Sequence, residues 1–424
     1  MRHRKTKIHK GGGIRMKANI NRVVSRLEDI YQCGKKEDGT YTRMAFSEED
    51  VKGRELFASW AKRLGMTCHV DEAGNLIAHM DGQDNDLPAI MMGSHLDTVP
   101  DGGRYDGVTG CVGGLEVCEV EHGKVPKHPI EVIVFTDEEG FRFGKGLLGS
   151  SSLCGQDPDV SDDELDIYGE PRGEVMKSYG ITSANVMKAK RDPKTVHSFI
   201  ELHVEQGSRL YKAHTPVGVV SSIAGVNRYD VTVAGEANHA GSTAMADRKD
   251  ALVAAAGFIN KVPEIVKEYG NEFTVATVGT IKVTPHSVNV IPGTCTFSLE
   301  IRDQSAEVMK LIENHLRQLL EDICKKYGVT STFVPTSYHD PAPMSELVRG
   351  TIEEAVKELG IDYTVIPSGA FHDSLIMTSV FPTGMIFVPS KDGISHSRYE
   401  YTAPEDIENG CNVLLNTVLK LDEK

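Results

Sequence analysis

The sequence predicts an α/β protein in which a smaller α+β domain interrupts a larger layered domain. Strand-like and helical runs alternate in the first half of the chain, the pattern changes after Ala213, and the alternation resumes near Ser337. Such alternation is typical of layered α/β domains. A length of 424 residues also exceeds what one hydrophobic core usually supports, which favours two domains.

The larger domain is predicted to begin with two amphipathic helices, followed by strands around a glycine-rich helix. Ser47, followed by two acidic residues, marks the start of the second helix, and Gly65 marks its end. The predicted helices cover residues 21–30, 48–64 and 108–121, and the predicted strands cover 66–70, 75–79, 89–94 and 130–136.

The interrupting segment is predicted to be a sandwich of one sheet and two helices. In the helix opened by Ser305, seven aliphatic residues recur at steps of three and four, as in a helix lying on a sheet. The predicted strands cover 217–223, 229–234, 274–283, 293–301 and 331–335, and the first helix covers 250–269. A helix over 345–359 and strands at 363–366 and 384–388 then return the pattern to α/β.

These patterns set the expected domain limits. Residues 17–214 and 331–424 form the larger domain, and residues 215–330 form the inserted one. Residues 1–16 have six basic side chains, no acidic ones and no periodicity, so we expect a disordered leader there.

The charge balance disfavours binding to nucleic acid. The chain has 61 acidic and 46 basic side chains, a formal charge of -15, whereas nucleic-acid binders need a cationic surface. No run approaches the roughly 18 apolar residues of a membrane helix, and the start lacks the apolar core of a secretory signal. We therefore expect a cytoplasmic protein without nucleic-acid or membrane partners.

Five short segments concentrate His, Asp and Glu at predicted strand ends and turns: residues 93–99, 103–107, 135–140, 201–207 and 393–397. In the first of them, the strand period of two puts His95 and Asp97 on one side, so the Asp97 carboxylate is placed to orient a metal-binding imidazole. Taken singly, each segment is also consistent with an ordinary hydrogen-bonded pair or a solvated helix start. Together, His and carboxylate groups without nearby Cys indicate a hydrolytic pair of zinc, cobalt, nickel or manganese ions.

These motifs resemble those of the amidase/hydantoinase/carbamoylase branch of the dinuclear-zinc exopeptidase superfamily. The matching segments read GSHLDTV, GGRYDGV, TDEEGFRF, ELHVEQG, ANHAGST and SHS, and the similarity extends in order over residues 27–415. The branch contains N-carbamoyl-L-amino-acid hydrolases, allantoate amidohydrolases and β-ureidopropionases. The resemblance implies a zinc-exopeptidase-like catalytic domain with a mixed sheet, and an inserted lid that also forms the dimer interface.

The resemblance implies two divalent metal ions in each subunit. Five residues match the family's ligands: His95 and His203 for one ion, Glu139 and His396 for the other, and Asp106 as a bridge. Glu138 matches the general base of the family. The role suits a carboxylate that is not a ligand, because it can take a proton from the attacking water and pass it to the departing nitrogen. Asp97 joins the catalytic set through His95.

Other matching residues are assigned to the substrate. His239 matches a histidine that reaches the active site of the partner subunit and stabilises the oxyanion; an exposed histidine without function is the alternative. Asn289 matches a substrate contact, and Arg302 matches the residue that binds the substrate carboxylate through its planar guanidinium. An ion pair of Arg302 with Glu300 or Asp303 is the alternative for that side chain. Three further residues complete the predicted substrate set: Gln206, Gly369 and His372.

Three positions depart from the family pattern. Ala244 and Arg398 stand where the branch has Pro, and Phe371 stands where it has Gly. None of the three is a predicted ligand. Phe371 adds bulk close to the substrate pocket that the resemblance implies, and Arg398 adds a positive charge near its entrance.

The expected activity is hydrolysis of the ureido amide of an N-carbamoyl-L-amino acid to the amino acid, ammonia and carbon dioxide. Allantoate amidohydrolase is the first alternative, because allantoate has the same carboxylate and ureido groups, and β-ureidopropionase is the second. A metallo-aminopeptidase and a non-catalytic binding protein on the same fold are further alternatives. The expected partners are a small carboxylate substrate and a second copy of the chain, in a homodimer formed through the inserted domain.

Overall fold

The computed structural model describes residues 17–424, so the predicted leader at 1–16 lies outside the described residues. The strands are β1 (Thr67–Val70), β2 (Leu76–Met80), β3 (Ala89–His95), β4 (Ile130–Phe135), β5 (Val196–Val204), β6 (Val217–Ile223), β7 (Gly225–Ala234), β8 (Asn238–His239), β9 (Val275–Thr277), β10 (Ile281–Thr284), β11 (Val290–Ile291), β12 (Thr294–Asp303), β13 (Thr330–His339), β14 (Ala342–Pro343), β15 (Tyr363–Ser368) and β16 (Thr383–Val388). The α-helices are α1 (Ile20–Gly34), α2 (Glu48–Arg63), α3 (Val108–Val120), α4 (Leu148–Cys154), α5 (Arg172–Val175), α6 (Arg209–Ala213), α7 (Ala251–Tyr269), α8 (Ala306–Tyr327), α9 (Glu346–Leu359), α10 (Asp373–Met377) and α11 (Pro404–Asp422).

Contacts divide the chain into two compact units. Of the described residues, the first unit comprises 17–217 together with Thr351–Tyr363 and Ile386–Lys424, and the second unit comprises Gly218–Gly350 and Thr364–Met385. Strand pairing extends the second unit beyond the expected limit at residue 330, because β13 pairs with β7 along most of its length. None of the helices in residues 17–424 combines the length and the apolar character that a bilayer crossing demands.

The first unit contains a mixed sheet, which confirms the predicted α/β class. Its strand order is β1-β2-β4-β3-β5, with the last residues of β16 beyond β5. β1, β2 and β4 pair in antiparallel fashion, whereas β3 is parallel to both β4 and β5. The carboxyl ends of these three parallel strands therefore meet at one edge of the sheet, where open α/β sheets bind their ligands.

Helix α3 lies against the centre of this sheet, and its glycines allow the close approach. A Cβ atom added at Gly110 would lie 2.6 Å from the carbonyl oxygen of Leu202, and one at Gly114 would lie 2.9 Å from Val132. Only residues without a side chain fit there. The close packing fixes the start of α3, and hence the turn before it, relative to the ends of β3 and β5.

The second unit is built around an antiparallel sheet in the order β10-β12-β7-β13, with β9 also paired to β12. Alternate residues of β12, among them Phe297, Leu299 and Ile301, are buried in a core shared with α7 and α8. β6 pairs with β14 and β15, and the two-residue strands β8 and β11 pair with each other. This is the sheet with two helices that the hydrophobic periodicity predicts.

Several features differ from the sequence prediction. β5 and α11 are not predicted at all, although both are long and largely buried, and short elements such as α4, α6 and α10 are missed as well. A single strand is predicted over 274–283, but the structure divides it into β9 and β10, which pair separately with β12. All of β5 except His197 is buried, yet it contains Glu201 and His203, so it lacks the continuous apolar run that usually marks a strand covered on both faces.

Candidate metal centre

Six ionisable side chains of the first unit converge at the carboxyl ends of β3, β4 and β5: His95, Asp106, Glu138, Glu139, His203 and His396. They form three overlapping groups in which the candidate ligand atoms lie within 4.8 Å of one another. The strands deliver the first histidine at the end of β3, the two glutamates just after β4, and His203 near the end of β5. The turn before α3 and the loop before α11 supply the other two.

The two carboxylate oxygens of Asp106 face different partners. Oδ1 lies 3.6 Å from Nε2 of His95 and 3.2 Å from Nε2 of His203. Oδ2 lies 3.3 Å from Nε2 of His396, and that nitrogen lies 3.7 Å from a carboxylate oxygen of Glu139. A carboxylate shared between two cations requires this division of its oxygens.

Main-chain acceptors determine which imidazole nitrogens carry hydrogen. Nδ1 of His95 lies 2.9 Å from the carbonyl oxygen of Asp97, and Nδ1 of His203 lies 2.8 Å from that of Val204. Since a carbonyl only accepts, each Nδ1 donates, and in the neutral ring the lone pair is on Nε2. Nε2 of each ring then faces an oxygen of Asp106, a contact that a proton or a cation between the two atoms would make favourable, and Nε2 of His203 also accepts a hydrogen bond from the Gly107 amide. The donor set therefore fits a divalent ion bound by imidazole and carboxylate.

The electrostatics of the cluster also favour positive charge. Burial alone would raise the pKa of Asp106, but its hydrogen bonds with the three imidazoles hold the pKa well below the ordinary value. The hydrogen bond to Asp106 raises the pKa of His396 to about 9. Burial, and then the charge of Asp106, raise the pKa of Glu139 to about 7. Without metal ions, protons supply the positive charge that these carboxylates attract.

Asp97 serves the cluster differently from the prediction. Its carboxylate lies 3.8 Å from Nδ1 of His95, and the carbonyl of the same residue is the nearer partner of that nitrogen. The carboxylate instead accepts hydrogen bonds from the main-chain amides of Glu138 and Glu139, at 3.3 and 3.1 Å. The reason is that β3 ends at His95, so residue 97 no longer follows the strand period. Asp97 thus links the loop that follows β3 to the turn after β4 that contains the two glutamates.

Gly107 permits the approach of the turn to the histidines. Its φ is +63°, and an added Cβ atom would lie 2.5 Å from the His95 ring. Its main-chain amide donates to Nε2 of His203 at 3.1 Å. A side chain at this position would clash with the ring and strain the backbone.

Gln206 lies among the candidate ligands. Its amide nitrogen is 2.7 Å from Oδ2 of Asp106 and 3.3 Å from Nε2 of His396. Its backbone has a φ of +56°, and its main-chain amide donates to the Ser390 hydroxyl. The structure thus places Gln206 beside the metal-ligand candidates, and its predicted contact with the substrate stays a prediction.

Glu400 is a neighbour of the cluster that sequence reasoning misses. The carboxylate is 3% exposed and accepts hydrogen bonds from the amides of Tyr105 and Asp106 and from the Ser395 hydroxyl. Burial, and then the charge of Asp106, raise the pKa of Glu400 to about 7. The only sequence signal is an acidic residue between two tyrosines, four positions after His396.

In the second unit, His239 and Asn289 lie side by side. His239 is on β8, opposite Val290 of β11, and the Asn289 carbonyl accepts a hydrogen bond from the Ala240 amide. The His239 ring is exposed, and its Nδ1 accepts hydrogen bonds from the amides of Gly241 and Ser242, at 3.0 and 3.2 Å. In the neutral ring the hydrogen is then on Nε2, which makes that nitrogen a donor.

Arg302 and Gly369 form a second pair in this unit. Nη1 of Arg302 donates to the Gly369 carbonyl at 2.8 Å, and its guanidinium carbon lies 5.2 Å from the centre of the Phe371 ring. Nε donates to Glu300 at 2.7 Å, so the ion pair considered as an alternative is present together with the contact to Gly369. His372 is buried, with Nε2 2.9 Å from the Ser368 hydroxyl.

The two remaining departures from the family pattern lie at the surface. Nε of Arg398 donates to Asp101 at 2.6 Å, and both side chains are 36% exposed. Ala244 is exposed and precedes a short 3₁₀ turn.

Residues 91–420 match the sequence profile of peptidase family M20/M25/M40. An N-carbamoyl-L-amino acid amidohydrolase of Geobacillus stearothermophilus is 40% identical over 402 residues, which are 94% of this chain and 98% of the relative. An allantoate amidohydrolase of Bacillus subtilis is 32% identical, over 95% of this chain and 97% of the relative. The crystal structure of an amidase of the hydantoinase/carbamoylase family from Burkholderia multivorans has a TM-score of 0.88 and 34% identity, covering 96% of this chain and 99% of that one. This chain therefore belongs to peptidase family M20/M25/M40, in its hydantoinase/carbamoylase branch.

Proposed function

We propose that this protein is a metal-dependent amidohydrolase that removes the carbamoyl group from N-carbamoyl-L-amino acids, giving the amino acid, ammonia and carbon dioxide. The division of the Asp106 oxygens between His95 and His203 on one side and His396 on the other carries the proposal of a two-ion site. The relative from Geobacillus stearothermophilus supports the substrate class. Allantoate hydrolysis is the second candidate, supported by the relative from Bacillus subtilis.

In this proposal His95 and His203 hold one divalent ion, Glu139 and His396 hold the other, and Asp106 is shared. The ligand set suits zinc, manganese, cobalt or nickel. When bound, such ions polarise a carbonyl oxygen and lower the pKa of water.

Glu138 is proposed to move the proton. Its carboxylate lies 3.7 Å from Nε2 of His95, at the edge of the cluster, and its side chain is 9% exposed. Glu139 is the better ligand of the two, because its carboxylate lies 3.7 Å from His396, which also faces Asp106. Glu138 is then left to take a proton from the attacking water and deliver it to the leaving nitrogen.

The second unit is proposed to bind the substrate and to complete the site across a dimer. Arg302 supplies a guanidinium for the substrate carboxylate, and Asn289, Gly369 and His372 are proposed as further substrate contacts of this unit. Gln206 is proposed as a substrate contact of the first unit. His239 presents Nε2–H as a donor to the developing oxyanion in the active site of a partner subunit. If His239 acts in this way, the proposed homodimer interface lies on the inserted domain.

A substrate panel tests the activity directly. The protein loaded with Mn²⁺ or Co²⁺ is expected to release ammonia from N-carbamoyl-L-methionine faster than from allantoate, N-carbamoyl-β-alanine or a dipeptide, because the relative with 40% identity is named for N-carbamoyl-L-amino acids and the allantoate amidohydrolase is 32% identical. The metal-free protein is the control. Preference for allantoate would select the second candidate, and metal binding without any turnover would indicate a binding protein.

Glu138→Gln is expected to keep both metal ions and to lower kcat by about 10²–10⁴, because Gln cannot accept a proton. Metal content by mass spectrometry and ammonia release are measured on the same sample. Glu139→Gln is the matched control, and it is expected to lose metal. Near-normal turnover in a metal-replete Glu138→Gln protein would refute the proton-transfer role.

Arg302→Ala is expected to raise KM for N-carbamoyl-L-methionine by roughly 10- to 100-fold. The reason is that the substrate carboxylate loses a charged hydrogen bond, which contributes about 1.5–3 kcal/mol to binding. Arg228→Ala is the control, since Arg228 pairs with the same Glu300 but is 48% exposed. Equal effects of the two substitutions would show that loss of the Glu300 ion pair, and not of a substrate contact, raises KM.

The cross-subunit role of His239 is tested by mixing two inactive proteins. His239→Ala and His203→Ala each lack one part of the proposed site, but one of the two sites in a mixed dimer would be complete. Statistical exchange of subunits should then restore about one quarter of the wild-type activity. Mixed dimers that are detected by native mass spectrometry but remain inactive would contradict the proposal.

A further inference from the structure

We infer that Glu400 is a positioning residue for the metal pair, because one buried carboxylate joins the turn that carries Asp106 to the loop that carries His396. The inference rests on the proposed function, in which these two residues help to hold two divalent ions. It adds a residue that touches neither the ions nor the substrate but determines where two of the ligands lie.

The first connection is to the Asp106 turn. One carboxylate oxygen of Glu400 accepts hydrogen bonds from the amides of Tyr105 and Asp106, at 2.8 and 3.1 Å. The turn closes tightly around the carboxylate, since a Cβ atom added at Gly103 would lie 2.0 Å from the same oxygen. These contacts fix the main chain of the bridging ligand.

The second connection is to the His396 loop. The other oxygen of Glu400 accepts a hydrogen bond from the Ser395 hydroxyl at 2.6 Å, and that hydroxyl lies 3.1 Å from Oδ2 of Asp106. Ser395 directly precedes His396. A single side chain therefore sets the distance between the loop of one ligand and the carboxylate of another.

His396 depends on such support more than the other histidines do. Its side chain is 49% exposed, whereas those of His95 and His203 are 2% and 1% exposed. His396 also has a φ of +50°, in the left-handed region that residues other than glycine rarely adopt. His95 and His203 lie on buried strands, and their Nδ1 atoms donate to main-chain carbonyls.

The consequence is greater for one ion. Loss of Glu400 should most weaken the ion assigned to Asp106 Oδ2, Glu139 and His396, because two of its ligands lose their support. The ion assigned to His95 and His203 should weaken less, because it shares only Asp106 and keeps two buried histidines. Residues that orient metal ligands typically change metal affinity by about 10- to 100-fold when they are substituted.

The test is a titration of the full-length metal-free protein with Mn²⁺ by calorimetry, with metal content measured after dialysis against a graded chelator. Glu400→Ala is expected to bind the ion of His396 about 10- to 100-fold more weakly, with a clearly smaller loss of affinity for the ion of His95 and His203. Glu400→Gln should lose less, because its amide oxygen can face the two main-chain amides while its nitrogen donates to Ser395. Glu405→Ala, at an exposed acid in the first turn of α11, is the matched control and should bind both ions normally.

Ser395→Ala provides a second test that leaves the buried carboxylate in place. It removes only the connection to the His396 loop, and it should weaken the same ion. Equal weakening of both ions, or unchanged affinity in Glu400→Ala and Ser395→Ala, would overturn the inference alone. A wild-type protein that binds no divalent ion would overturn the proposed function as well.

Discussion

The buried carboxylate of Asp106 is the interaction on which the rest of the candidate site depends. It is 3% exposed, and the Nε2 atoms of three imidazoles lie within 3.6 Å of its oxygens. A charge removed from water in this way is tolerated only when opposite charge and hydrogen bonds compensate it. The surrounding elements meet that requirement: β3 and β5 bring two histidines to one oxygen, and the loop before α11 brings a third to the other.

The layer behind the ligands is as specific as the ligands themselves. The Asp97 carboxylate accepts hydrogen bonds from the amides of Glu138 and Glu139, and the Glu400 carboxylate accepts them from two amides of the turn that carries Asp106. Main-chain carbonyls accept hydrogen bonds from Nδ1 of the histidines on β3 and β5. These groups restrict the candidate ligands, and such restraint would reduce the ordering that binding of a metal ion requires. The hydrogen bonds of both carboxylates go to main-chain amides and, for Glu400, also to the Ser395 hydroxyl.

Fold and ligand set do not by themselves determine the substrate. Relatives with 40% and 32% identity over nearly the whole chain are named for different substrates, N-carbamoyl-L-amino acids and allantoate. Function in such families depends on side chains grafted onto a common architecture. In this chain most of the candidates for that role lie in the second unit, where Arg302 contacts Gly369 and lies beside Phe371, one of the three residues that depart from the family pattern.

The sequence by itself determined the mixed α/β class, most strands and helices, and the segments in which the chemically active residues lie. These follow from local periodicity, caps and motifs, which are properties of short stretches of chain. It did not yield β5, because this strand carries Glu201 and His203 in place of the apolar run that usually marks a strand covered on both faces, and it missed α11. Only the tertiary structure decided that the Asp97 carboxylate binds amides, that Gln206 lies against Asp106, and that Glu400 joins two distant loops. Such contacts link residues as far as 295 positions apart, and no local pattern encodes which distant partner a buried polar group will find.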